Sequence, residues 1–257
     1  MTASTPSFES MQFGAPVGEY RGSVARIVIG VAGVALTLIG AFFAVVASTP
    51  SAAAVAAGDS SGVIADIIAS AIFIIGAIAC FVTVFVWRGA RAQLFERGFV
   101  IARAGKTTSA RWEDIASVTQ RVVQTRYYGI PVWTSHTYNV TLTNGDKLRI
   151  TDAFGKVGKL GDSIQRMSAN ALLPRAIAAY HSGALLPFGA LNVSQAGISN
   201  GKETLPWSDL NQLLLLNGRV IITRKGKRLR WSATQISKTP NVYVLTALVG
   251  YIQRGVR

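Results

Sequence analysis

Hydrophobic and polar positions divide this chain into two regimes. Residues 27–47 and 67–87 are two runs of 21 residues without a charged side chain. Each matches the roughly 20 residues an α-helix needs to cross a hydrocarbon core of about 30 Å. Backbone groups in lipid are satisfied only within such a helix or a closed barrel. The first run starts too far into the chain, and is too long, for a secretory leader, and a second run follows it closely. The pattern predicts a transmembrane helical hairpin over 25–88. Residues 1–24 are polar and aperiodic and are expected to be disordered. Asp66, at the edge of the second run, is expected to start that helix at the outer interface.

Beyond residue 88 the apolar period shortens to that of strands, with turn residues between them. FVIARAG and KTTSARW read as two strands around Gly105-Lys106. HTYNVTLTNGDKLRITD reads as a hairpin, because Asn144-Gly145 supplies the positive φ angles of a tight turn. Val157, Leu160, Ile164 and Met167 then recur at helical spacing. The order repeats: PFGALNVSQAGIS, GKETLPW and LLLLNGRVIITRKGKRLRWS give further strands, with turns at Asn217-Gly218 and Lys225-Gly226. Val242, Leu245, Leu248, Val249 and Ile252 close the chain as a helix.

A specific echo ties the two passages together. TSARWEDI at 108–115 and ETLPWSDL at 203–210 both place an acid two positions after a tryptophan, followed at once by a branched aliphatic. The later pair DKLRI and KRLRW is offset by 81 positions rather than 95, so the first passage carries 14 additional residues, assigned to an insertion at 127–136. The expected organisation is one unit over 89–182 and a second over 183–257. Each is a strongly bent antiparallel sheet closed by a C-terminal helix, an α+β fold beside transmembrane helices. Trp112 and Trp207 are its repeat markers, expected to pack inside each sheet.

Charge sharpens this picture. From Arg88 onward there are 24 basic and 8 acidic residues, a net of +16, whereas residues 49–62 between the runs carry no Lys or Arg. The positive-inside bias places both termini in the cytoplasm and the protein in the cell membrane. Cys80, the one cysteine, lies in the second run, so no disulfide forms within one chain; it reads as a small packing residue. Gly30, Gly33, Gly40 and Gly76 permit close helix packing.

The run LPWSDLNQLLLLNGRVIITRKGKRLRWSATQISKTPNVYVLTALVGYI resembles the DUF6585 family. A Gly-Lys-x-x-x-x-Trp strand, an aliphatic-Asn-Gly hairpin, a basic strand and a helix opened by Pro240-Asn241 follow in sequence. The resemblance is specific over 185–253 and looser over 92–170. Strands capped by one helix beside transmembrane segments also resemble the pleckstrin-homology-like (PH-like) domains of bacterial membrane proteins. That resemblance implies a fold, and lipid headgroups or proteins as ligands. It transfers no activity and no catalytic residue.

Catalytic and cofactor chemistry finds no support in the sequence. Gly105-Lys106-Thr107 lacks the earlier glycine of a phosphate-binding loop, since Val100 stands there. His136 and His181 are isolated, and no ligand spacing for a metal is present. The expectation is a non-enzymatic protein without cofactor. Its candidate contact residues lie in two places. Residues 219–230 hold six cations in twelve positions: Arg219, Arg224, Lys225, Lys227, Arg228 and Arg230. This segment either binds anionic lipid headgroups or is a solvated edge kept basic against strand pairing. Around Tyr127, Tyr128 and Trp133, aromatic side chains with polar tips suit an interface or a protein partner. Nucleic acid is not an expected partner. The principal expectation is a membrane-anchored scaffold. The competing one is an accessory or regulatory subunit of a transport-type membrane complex, contacted through the helical hairpin.

Overall fold

The computed structural model describes residues 13–49, 61–87, 89–128 and 130–255. Among the described residues the chain is α+β, with two long apolar helices and four antiparallel sheets. It divides into two units, residues 21–91 with 102–106, and residues 1–20 with 92–101 and 107–257.

In the smaller unit, α1 (Ala25–Ser48) and α2 (Ser61–Trp87) are both long and apolar enough to cross a membrane. The core helix of a water-soluble protein is mostly covered, whereas only 11% of the most apolar window of each is buried. The two helices pack against each other through their small residues. A Cβ on Gly33 would lie 3.0 Å from Cβ of Cys80, and one on Gly40 would lie 3.2–3.4 Å from Ile74, Phe73 and the Ser70 carbonyl. Gly30 faces Val84 and Gly76 faces Leu36. All four glycines therefore serve the contact between α1 and α2. Ser70 Oγ donates to the Gly40 carbonyl at 3.0 Å, and Phe43 stacks on Phe73 with ring centres 5.7 Å apart. Asp66 does not start its helix as expected: α2 begins at Ser61, so the carboxylate lies more than a turn inside.

Strand β1 (Pro16–Arg21) belongs to a sheet of order β1-β2-β3-β4, with β2 (Arg91–Phe95), β3 (Gly98–Arg103) and β4 (Lys106–Arg111), most of whose residues fall in the larger unit. This corrects the expectation of a disordered N-terminus over its described part. Phe13 is buried with Phe95 and Val100, and its carbonyl accepts from Arg97 N–H at 2.9 Å. Residues 1–12 lie outside the described residues. A 3-10 turn at Trp112–Asp114 leads into a second sheet, β5 (Ile115–Tyr127), β6 (Ile130–Leu142) and β7 (Lys147–Ile150), and then α3 (Val157–His181).

The order then recurs. Strands β8 (Leu186–Phe188), β9 (Leu191–Ser194), β10 (Gly197–Ser199) and β11 (Thr204–Leu205) form a meander. Strands β12 (Leu210–Leu216), β13 (Arg219–Arg224) and β14 (Arg230–Gln235) form a three-stranded sheet, and α4 (Val242–Gly255) follows. The echo heard in the sequence is also an echo in hydrogen bonds. Trp112 Nε1 donates to the Phe95 carbonyl and Trp207 Nε1 to the Ser194 carbonyl, each at 3.0 Å. Asp114 and Asp209 each accept at their backbone oxygen from a residue of the next hairpin, Thr143 and Lys225, at 2.8 Å. Both second-sheet hairpins begin with the same irregularity, between Ile115 and Ser117 and between Leu210 and Gln212.

From that shared bulge the registers run in parallel up to Arg121↔Thr137 and Leu216↔Arg219. The first hairpin then has the fifteen residues 122–136 where the second has Asn217 and Gly218. The additional residues thus begin at Val122 rather than Tyr127, and they lengthen both arms of a β-ribbon instead of forming a separate insertion.

Helix α3 links the two halves. Its first half buries Val157, Leu160 and Ile164, whereas Ala169, Leu172, Leu173, Ala176, Ile177 and Tyr180 pack into the second core with Trp207, Val220, Ile222 and the buried face of α4. The expected boundary at 182/183 thus falls at the end of an element shared by both cores.

Candidate functional site

The basic segment 219–230 separates into three kinds of cation. Arg224, at the end of β13, is engaged by the acid of the repeated tryptophan motif. Its Nε and Nη2 both donate to Asp209 Oδ2, at 3.1 and 2.6 Å. This hydrogen bond holds the Asp209 carboxyl below its ordinary value against a partial desolvation, helped by Ser208 and by the charges of Arg224 and Lys225. Arg224 and Asp209 therefore fasten the start of β12 to the end of β13, which anchors the turn that follows.

That turn is the exposed feature. Lys225, Lys227, Arg228 and Arg230 all face solvent. None is within ion-pair distance of a carboxylate among the described residues. Leu229, which the sequence reading passed over, stands between two arginines with 83% of its surface exposed. The fold leaves it there because β14 begins only at Arg230, and the next residue to pack inward is Trp231. Lys-Gly-Lys-Arg-Leu-Arg is thus a cationic loop with an apolar centre, joining β13 to β14. Arg219 does not belong to it. It lies at the other end of β13, five residues and about 17 Å from Arg224 at ~3.3 Å per residue.

The aromatic candidates sit at the tip of the β5–β6 ribbon. Tyr127 and Tyr128 are 68% and 87% exposed, with ring centres 4.6 Å apart in an edge-on pair. Ile130 and Val132 are exposed beside them. The side chain of Trp133 lies outside the described residues. Lower down, the ribbon is secured beneath α3. Tyr138 is buried, its hydroxyl donates to the Gly158 carbonyl at 3.4 Å, and Gln120 Nε2 donates to it at 3.2 Å. Burial, with Asp162 nearby, raises the Tyr138 phenol well above its ordinary value. Trp112 and Trp207 are buried, so their rings belong to the cores and not to a binding surface.

The two halves meet at Asn241, which precedes α4. Its backbone N–H donates to the Val118 carbonyl at 2.9 Å, its Oδ1 accepts from Val118 N–H at 2.8 Å, and its Nδ2 donates to the Ala116 carbonyl at 2.9 Å. One asparagine thereby takes the place of a neighbouring strand along the edge of β5.

Comparison with known sequences agrees with the fold-wide pattern. The model of a family described as "Family of unknown function (DUF6585)" matches residues 1–257. The chain belongs to the DUF6585 family. Among curated proteins none matches it. Membership fixes no ligand, so the function of this DUF6585 member has to be argued from its own surface.

Proposed function

We propose that this DUF6585 protein is a membrane-anchored, non-enzymatic binding protein of the cell membrane. In this reading α1 and α2 cross the bilayer as a hairpin, and both termini lie on the cytoplasmic side with the Lys/Arg-rich part of the chain. The strand-rich unit comprises two PH-like halves, and its cationic loop contacts anionic lipid headgroups. The observation that carries the reading is the 225–230 loop: four solvent-facing cations, none ion-paired among the described residues, around an exposed leucine.

The magnitudes favour such a contact. Each cation close to an anionic leaflet contributes about 1 kcal/mol, so four contribute up to about 4 kcal/mol. Burying Leu229 at the headgroup boundary adds up to about 2 kcal/mol. A solvated edge strand kept basic against pairing explains the lysines and arginines, but not a leucine left bare among them. The accessory-subunit reading is less well supported, because Gly30, Gly33, Gly40 and Gly76 already serve the contact between α1 and α2.

The test uses the full chain with Cys80→Ser and Leu229→Cys, carrying an environment-sensitive fluorophore at 229, in nanodiscs. Emission shifts to the blue in anionic but not neutral lipid, and the shift is lost at high salt and with Arg228→Glu plus Arg230→Glu. Identical spectra in the two lipids would overturn the proposal.

A further inference from the structure

Strand β5 is the edge strand of its sheet, and the Asn241 contact reveals which of its residues point outward. Both backbone groups of Val118 are turned away from β6, toward Asn241. The pairing with β6 is unbroken from Ser117 to Thr125, so outward residues recur every second position, and Gln120 and Val122 present N–H and C=O on the same edge. The hydrogen bonds of Asn241 reach only as far as Val118, and the 3-10 turn Ile236–Lys238 lies close beside the same strand.

The next stretch of the edge forms one wall of a groove of about 600 Å³. The opposite wall is the Asn217-Gly218 turn with Arg219, and the stretch after β14. The groove contains two arginines, Arg121 and Arg219, and no acid. Neither arginine is ion-paired among the described residues. Val122 and Val123 line it with half-exposed apolar side chains.

We infer that this groove binds an extended acidic peptide segment of a partner protein, added as a further strand along β5 at residues 120–122. An open edge offers main-chain hydrogen bonds to an extended chain, and side-chain pockets supply selectivity. The two arginines on either side select carboxylates. A second copy of this chain is disfavoured as occupant, since it would set Arg121 and Arg219 against their own counterparts. This site is independent of the lipid-facing loop, and either can fail without the other.

The test is fluorescence anisotropy of a labelled eight-residue peptide of alternating Glu and Val, titrated with the full chain in neutral detergent micelles. Val122→Pro removes one outward N–H, keeps every hydrogen bond to β6 and leaves the charge unchanged, so it separates strand addition from general attraction to a basic protein. Binding is expected to weaken at least tenfold with Val122→Pro and with Arg121→Glu plus Arg219→Glu. A peptide of the same charge with proline in place of valine should bind at least tenfold more weakly than the parent peptide. Hydrogen exchange of the amides at 120 and 122 in the unmodified chain should slow when the Glu-Val peptide is added. Absence of binding, equal binding by the proline peptide, or unchanged exchange at 120–122 would overturn the inference. Displacement of the peptide by an equal concentration of inorganic phosphate would also overturn it, reducing the groove to an anion site.

Discussion

Replacing Asn241 by alanine should loosen the junction between the two halves. The side chain makes two hydrogen bonds to the β5 edge, to Val118 N–H and to the Ala116 carbonyl. Each has a net worth of about 1 kcal/mol. The residue also holds φ at +52°, a left-handed conformation that asparagine tolerates and that costs alanine about 1–2 kcal/mol. Together these give a loss of about 3 kcal/mol for Asn241→Ala. Asn241→Gly keeps the backbone conformation and should lose about 2 kcal/mol from the two bonds. Asn241→Asp retains the acceptor for Val118 and should lose about 1 kcal/mol. At roughly 2–4 °C per kcal/mol for a unit of this size, the alanine variant melts about 6–12 °C lower. Thermal unfolding of the full chain in detergent, followed by circular dichroism, reads this order directly. An alanine variant melting within 2 °C of the parent would refute the assigned role.

Two glycines in helices should respond with opposite signs. A Cβ on Gly161 of α3 would collide with the Tyr138 ring, so Gly161→Ala should destabilise by about 1–3 kcal/mol, whereas Gly250→Ala in α4 meets nothing within 4 Å and should stabilise by up to about 1 kcal/mol; paired melting curves check both. The Asp209 carboxyl has a folded value below its ordinary one, so its contribution is complete above about pH 4 and disappears only as the pH falls through the lower folded value. An acid titration should show this loss in the parent, and Asp209→Asn should lack it.

Much of this architecture is written in the sequence, where it depends on local chemistry. The Asn217-Gly218 pair turns β12 into β13 because both residues take positive φ, and the apolar spacing of 242–252 fixes the buried face of α4. The tryptophan echo announced two halves that share hydrogen bonds as well as letters. What escaped the sequence depends on partners far along the chain. PVGEYR has neither alternation nor length to mark a strand, and β1 exists because β2, some 70 residues later, completes its sheet. The ribbon 122–136 looked like an insertion because Tyr128, Gly129 and Pro131 interrupt its pattern, yet its arms pair with each other up to Tyr127↔Ile130, past one irregularity between Thr125 and Arg126. Among the site residues, the cations of 225–230 were legible as a cluster. Leu229 was not, because an isolated leucine in a basic strand reads as core until the strand is seen to begin after it. The roles of Asn241 and of Arg121 with Arg219 arise only where the two halves meet.

The most direct test of the account is amide hydrogen exchange across 219–235 in the unmodified full chain, reconstituted in neutral and in anionic bilayers. Exchange at 225–230 should be slower in the anionic bilayer alone, with the slowing reversed by high salt and absent with Arg228→Glu plus Arg230→Glu. Equal exchange in the two bilayers at low salt would contradict it.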